Sequence, residues 1–109
     1  MQKVTAGRDN LGELAPKFAE LNDDVLFGQV WAREAELSPR DRSLATISAL
    51  LSGGNLEQLP AHIRIGLANG LTQEEIVEVI THLSFYCGWP KAWSAFNILK
   101  NILAEKEGK

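Results

Sequence analysis

Two side chains of complementary chemistry stand two residues apart in His62-Ile63-Arg64. An imidazole titrates at about pH 6.5, which suits proton transfer at neutral pH. A guanidinium holds a carboxylate through a bidentate fork, and Arg42 offers a second fork on a different helix. His62 falls beside the apolar stripe Leu56, Leu59, Ile63 and Leu67, so its ring is expected at the edge of the core. A working acid or base is useful at that boundary, and a histidine held only for packing would sit there too. The arginines equally fit a solvated or subunit-contacting face, and Arg40 and Asp41 read as surface and capping residues. Cys87 follows Leu83 by four residues and Ile80 by seven, which sets its sulfur on the apolar side of a helix near its end. The negative end of the helix dipole disfavours a thiolate there, so packing is its simpler role. His82, with Glu78 one turn before it and Glu75 two turns before it, reads as part of a solvent-side polar stripe.

Composition removes several chemistries. One cysteine in 109 residues excludes an intramolecular disulfide and an intramolecular dithiol cycle. Metal ligation has little support, because His62 and His82 are the only histidines and lack zinc-site spacing; a metal would need carboxylates or a second subunit. A net charge of -3 without a basic run argues against nucleic acid as a partner. No apolar stretch reaches the roughly 20 residues that cross a bilayer, and the first ten residues lack the apolar segment of a secretory signal. The expectation is a cytoplasmic protein with no membrane partner.

The elements that must position these residues are helical. Apolar residues, 45% of the chain, recur at three- and four-residue spacing with no sustained alternation, which predicts an all-α single domain of about six helices. The first two are expected over 12–21 and over 23–35, the latter with Asp23 as N-cap. The third, 39–52, has Ser38 as cap, Pro39 at its first position and Gly53-Gly54 as its stop, and its apolar or small interior makes it the candidate central helix. The fourth is placed at 56–69 before Gly70, with Pro60 tolerable only near the first turn. Thr72 and Glu75 form a capping box opening the fifth, which runs to Tyr86 before Gly88-Trp89-Pro90 breaks it. The last covers 90–106, with a frayed charged tail over 105–109. Helices of this length, with three tryptophans, leave apolar surface that self-association would bury.

Four segments in order resemble the carboxymuconolactone decarboxylase family: Phe27-Gly28-Gln29-Val30-Trp31, the run from Leu37 to Leu44, His62-Ile63-Arg64 followed by Asn69-Gly70-Leu71-Thr72, and Tyr86-Cys87-Gly88-Trp89-Pro90. The resemblance implies an alkylhydroperoxidase D-like helical domain that assembles into a ring, a homo-hexamer or trimer of dimers, with sites near subunit contacts. The peroxidase branch carries a glutamate, a Cys-x-x-Cys pair and a histidine. Counting back from His62 puts Gln58 and Asn55 where those cysteines would be and Ser43 where the glutamate would be. The dithiol is missing, and the chain is similar to the decarboxylase branch.

That branch implies loss of carbon dioxide from a small carboxylated lactone, a reaction that needs no cofactor. The resemblance then makes His62 the proton donor or oxyanion partner, sets Arg64 or Arg42 on a carboxylate, and has Trp31, Trp89 or Tyr86 shield the leaving group, with Cys87 a further catalytic candidate. Two other classes remain: a peroxidase-like protein working through the single thiol of Cys87, and a non-catalytic oligomeric binding protein.

Overall fold

Proline and glycine decide where most helices of this chain begin and end. The computed structural model describes residues 3–106, and the regular structure in it is helical throughout. Six α-helices and one π-helical stretch occur among the described residues: α1 Ala6–Leu11, α2 Pro16–Glu20, the π-helical Leu21–Val30, α3 Pro39–Gly53, α4 Leu59–Ala68, α5 Gln73–Cys87 and α6 Trp89–Lys106. They fall into two compact units that meet in sequence between Ser38 and Pro39. No helix among the described residues is long and apolar enough to cross a membrane.

The first unit departs from the sequence expectation. In place of one helix over 12–21, the chain is helical over Ala6–Leu11 and again from Pro16. The proline ring disfavours helical geometry at the preceding residue, and Ala15 is accordingly non-helical at φ -139°, ψ 70°. Asp23 is not an N-cap: it lies inside the Leu21–Val30 stretch, 3% exposed. Its carboxylate instead accepts from the backbone amides of Gly7 (2.8 Å) and Arg8 (3.0 Å), capping the first turn of α1 from across the unit. Burial pushes the Asp23 carboxyl up, but hydrogen bonds from Asn22, Arg8 and Gly7 and the Arg8 charge outweigh it and hold the group below the ordinary carboxylate range. A β-carbon on Gly7 would stand 2.7 Å from Asp23 Oδ1, so only glycine fits beneath this cap. Arg8 closes the clasp by donating to both Asp24 oxygens at 2.9 and 2.8 Å. The helical run ends at Val30 rather than near residue 35, and the Trp31 amide closes its last wide turn on Leu26 O at 2.9 Å.

The second unit follows the sequence more closely. Gly54 at φ +74° ends α3, and Gly70 at φ +108° ends α4 in a Schellman turn, with Leu71 N donating to Gly66 O at 2.9 Å and Gly70 N to Leu67 O at 3.3 Å. The α4 start is three residues later than expected, at Leu59. A helix from Leu56 would put Pro60 against the Leu56 carbonyl and remove that bond, whereas from Leu59 the proline occupies the second position harmlessly. The Thr72–Glu75 capping box is formed, with bonds of 2.9 and 3.1 Å. Glu75 also takes an ion pair from Arg40, which ties the start of α3 to that of α5. Glu105 and Lys106, expected in a frayed tail, are the last residues of α6; the rest of that tail lies outside the described residues.

As expected of a central helix, α3 packs against α4, α5 and α6. Its buried stripe is Ser43, Ile47 and Leu51, while Ala45 is exposed, so the helix is less enclosed than its composition suggests. The core joins this stripe to Leu59 and Ile63 of α4, Ile76 and Ile80 of α5, and Ala92, Ala95, Leu99 and Ile102 of α6. At Gly66 side chains pack directly onto the α4 backbone: a β-carbon there would stand 2.9 Å from Leu71 Cδ1 and 3.1 Å from Ile47 Cδ1 of α3. Beside it the Asn69 amide donates to Ser43 Oγ at 3.0 Å, and Ser43 is wholly buried. Asn69→Ala strands that hydroxyl and should lower stability by about 1–3 kcal/mol, while the same change in a Ser43→Ala background should cost less. Urea unfolding of the four-protein cycle measures the difference.

Candidate active site

Pro60 fixes the first turn of α4, and His62 follows it in the second. Ile63 and Leu59, both buried, turn into the core, and the imidazole is half-buried at their edge, where the apolar stripe predicts it. Gly66, one turn further on the same side, faces Ile47 and Ser43 of α3. His62 therefore lies on the flank of α4 that is turned toward α3. Its Nδ1 is shut off from solvent, and burial pushes the imidazole below its ordinary 6.5.

Arg42 stands on the first turns of α3, half-buried, with Nε also out of solvent. The Ser43–Asn69 bond brings that end of α3 to the C-terminal end of α4, so the two helices run antiparallel. Ser43, next to Arg42, meets Asn69, seven residues beyond His62, so the backbones of Arg42 and His62 are on the order of 10 Å apart along the α4 axis at 1.5 Å per residue.

Arg64 is on another flank. Two residues beyond His62 it has turned by about 200°, and its Nη2 donates to Glu105 of α6 at 3.0 and 3.2 Å. With Leu67, Ile102 and Lys106 the pair lines a shallow cavity of about 290 Å³. A substrate carboxylate there would have to displace Glu105. Cys87 is the last residue of α5, half-buried against the core, its sulfur 4.0 Å from Gly88 O.

Two of the three aromatic candidates, Tyr86 and Trp89, are largely exposed. Tyr86 is 75% exposed, its ring 5.0 Å from that of His82, and Trp89 is 60% exposed with its ring edge-to-face on Phe85 at 6.3 Å. His82 thus meets Tyr86, while Glu75, expected in its polar stripe, is taken up by Thr72 and Arg40. Trp31 is in the first unit, buried and stacked on Phe27 at 5.8 Å. Sequence reasoning missed Glu105 as the partner of Arg64 and missed Phe85 and Trp93, which with Trp89 and Phe96 wall an apolar cleft between α5 and α6. The aromatic spacing 85, 89, 93, 96 was the available signal for the cleft.

The sequence profile of the carboxymuconolactone decarboxylase family matches residues 16–101. The chain belongs to that family. Among its relatives is 4-carboxymuconolactone decarboxylase of Acinetobacter baylyi, 31% identical over 102 residues, which are 94% of this chain and 75% of the relative. Nitrosuccinic acid decarboxylase npaB of Metarhizium robertsii is 30% identical over 90 residues, 83% of this chain and 62% of that protein. An uncharacterized 15.0 kDa protein of Paracoccus denitrificans is 35% identical over 86 residues, 77% of this chain and 63% of its own length. The family match covers His62, Arg42, Cys87 and all three aromatic candidates.

A buried imidazole with a lowered pKa has a signature in solution. The His62 ring protons should titrate below 6.5 in a pH series followed by NMR. Between 6.5 and that lower value the unfolded chain takes a proton that the folded chain refuses. Stability should therefore fall as pH drops through this window and level off beneath it, and His62→Asn should remove that slope.

Proposed function

We propose that this member of the carboxymuconolactone decarboxylase family is a carboxy-lyase that removes carbon dioxide from a small polycarboxylate, 4-carboxymuconolactone or a close analogue. The observation that carries the reading is the half-buried imidazole of His62, held on the flank of α4 that is turned toward α3. Two relatives named as decarboxylases support it. A lactone carbonyl conjugated to the reacting carbon, or a nitro group attached to it, is an electron sink. Loss of carbon dioxide beside either leaves an oxyanion that must be stabilised and a carbon that must be reprotonated.

The C–C bond to the carboxylate breaks, its electron pair enters the conjugated system, and charge gathers on the lactone oxygen. His62 returns the proton to carbon and is recharged from water. Burial favours its neutral form in the free protein, and an arriving polyanion reverses that preference, because a nearby negative charge raises an imidazole pKa. Protonation of the acid is thereby coupled to substrate binding. Arg42 holds a second carboxylate of the substrate, which orients the scissile bond.

The thiol alternative has less support. The chain has one cysteine, and Cys87 is packed against the core at the end of α5 with no second thiol in the chain to resolve a sulfenic acid. Ultraviolet-monitored turnover of 4-carboxymuconolactone by the purified protein tests the proposal. His62→Ala should lower kcat by about 10²–10⁴-fold without unfolding the chain, and Arg42→Ala should chiefly raise KM. Full activity in a folded His62→Ala protein would remove His62 from the mechanism. No turnover by wild type on this lactone or on nitrosuccinate would remove the carboxy-lyase reading.

A further inference from the structure

His62 is the one histidine of α3, α4 and α6, and imidazole is the side chain whose charge changes near neutral pH. On α4 the one other charged residue is Arg64, turned to α6 and paired with Glu105. On α3, Arg40, Asp41 and Arg42 stand in the first turns, and the stretch 43–53 carries no charge. On α6, Glu105 and Lys106 line the cavity on the Arg64 flank, Lys91 donates to Ser52 O at 3.1 Å, and Lys100 is exposed. Glu57, ahead of α4, is exposed, as is His82 on α5, whose ring meets that of Tyr86.

A single proton carrier implies traffic in both directions. The carboxy-lyase reaction, on which this inference rests for its chemistry, leaves an anion that His62 reprotonates. In 4-carboxymuconolactone a ring double bond lies between the lactone carbonyl and the reacting carbon. The anion is therefore a dienolate with two carbon ends, one next to the carbonyl and the other where carbon dioxide left. A group that gives a proton to such an anion also takes it back, because the step runs along the same path in both directions. Burial favours the neutral, proton-accepting imidazole in the free protein. The decarboxylated lactone has one negative charge fewer than the substrate, so it raises the imidazole pKa less on binding and meets the base form.

We propose that the protein also isomerises the decarboxylated lactone, His62 removing a ring proton from one end of the conjugated carbons and returning it to the other. The C–H bond breaks, its electron pair enters the conjugated system and gathers on the lactone oxygen, and the proton passes to the imidazole. Nδ1 is shut off from solvent, which assigns the transfer to Nε2. A new C–H bond then forms from the imidazolium at the other end, so the double bond moves and no atom is gained or lost. No oxidant, reductant or second substrate takes part.

Muconolactone, the same ring without the 4-carboxylate, incubated with the protein and followed by proton NMR, tests the inference. In D2O both carbon ends should take up deuterium, and the isomer with the shifted double bond should appear. In H2O the rate of isomer formation should rise with pH through a midpoint below 6.5 and level off above it, because the neutral imidazole is required. A folded His62→Asn protein should be slower by about 10²–10⁴-fold, and the wild-type pH profile decides the matter if that variant does not fold. A wild type that decarboxylates 4-carboxymuconolactone but leaves muconolactone at its protein-free rate would overturn this inference and spare the carboxy-lyase reading. Isomerisation without decarboxylation would support it and remove the carboxy-lyase reading instead. Deuterium at one carbon with no isomer formed, a rate that falls as pH rises, or full activity in folded His62→Asn would each overturn it.

Discussion

The close approach of α3 and α4 at Gly66 is the constraint on which the candidate site depends. A side chain at this position would meet Ile47 and Leu71; its absence lets both close over the α4 backbone. The Asn69–Ser43 hydrogen bond fixes the register of that approach, because a buried hydroxyl has few alternatives once water is gone. A one-residue slide would strand it. Register in turn decides which flank of α4 looks toward α3, and so places His62 on the seam and Arg64 away from it.

From that geometry the electrostatics follow. A half-buried imidazole loses part of its hydration and resists charging, whereas Arg64, half-exposed, is ion-paired with Glu105. The same helix thus presents one group whose protonation answers to its surroundings and another already neutralised by a neighbour. An anionic substrate has most to gain at the first, where low dielectric magnifies its field. At the second it would compete with a carboxylate already in place.

What was legible in the sequence is what is decided within a few residues. Pro39, Gly54, Gly70 and the Thr72–Glu75 box each fix a helix end by local sterics or a local hydrogen bond, and each is where the pattern put it. The stripe Leu59, Ile63 likewise located His62 at the core edge. What was not legible depends on partners far away in the chain. Asp23 looks like a helix start beside its neighbours and becomes the cap of α1 only when Gly7 and Arg8 arrive. Arg40 finds Glu75, and Arg64 finds Glu105, across 35 and 41 residues. No periodicity separates Arg64 paired with Glu105 from Arg64 awaiting a substrate. His82 and Glu78 are exposed, as a solvent-side stripe requires, while Glu75, its third member, is drawn to partners on α3 and at its own cap.

The central claim is that His62 delivers the proton that replaces carbon dioxide, and the pH dependence of kcat/KM for 4-carboxymuconolactone tests it most directly. That quantity reports ionisations of the free protein. The account predicts that kcat/KM rises as pH falls from 8 toward a plateau set by a pKa below 6.5, and that a folded His62→Asn protein loses this limb together with most of its rate. A profile flat across that range, or one that falls as His62 takes up its proton, would contradict it.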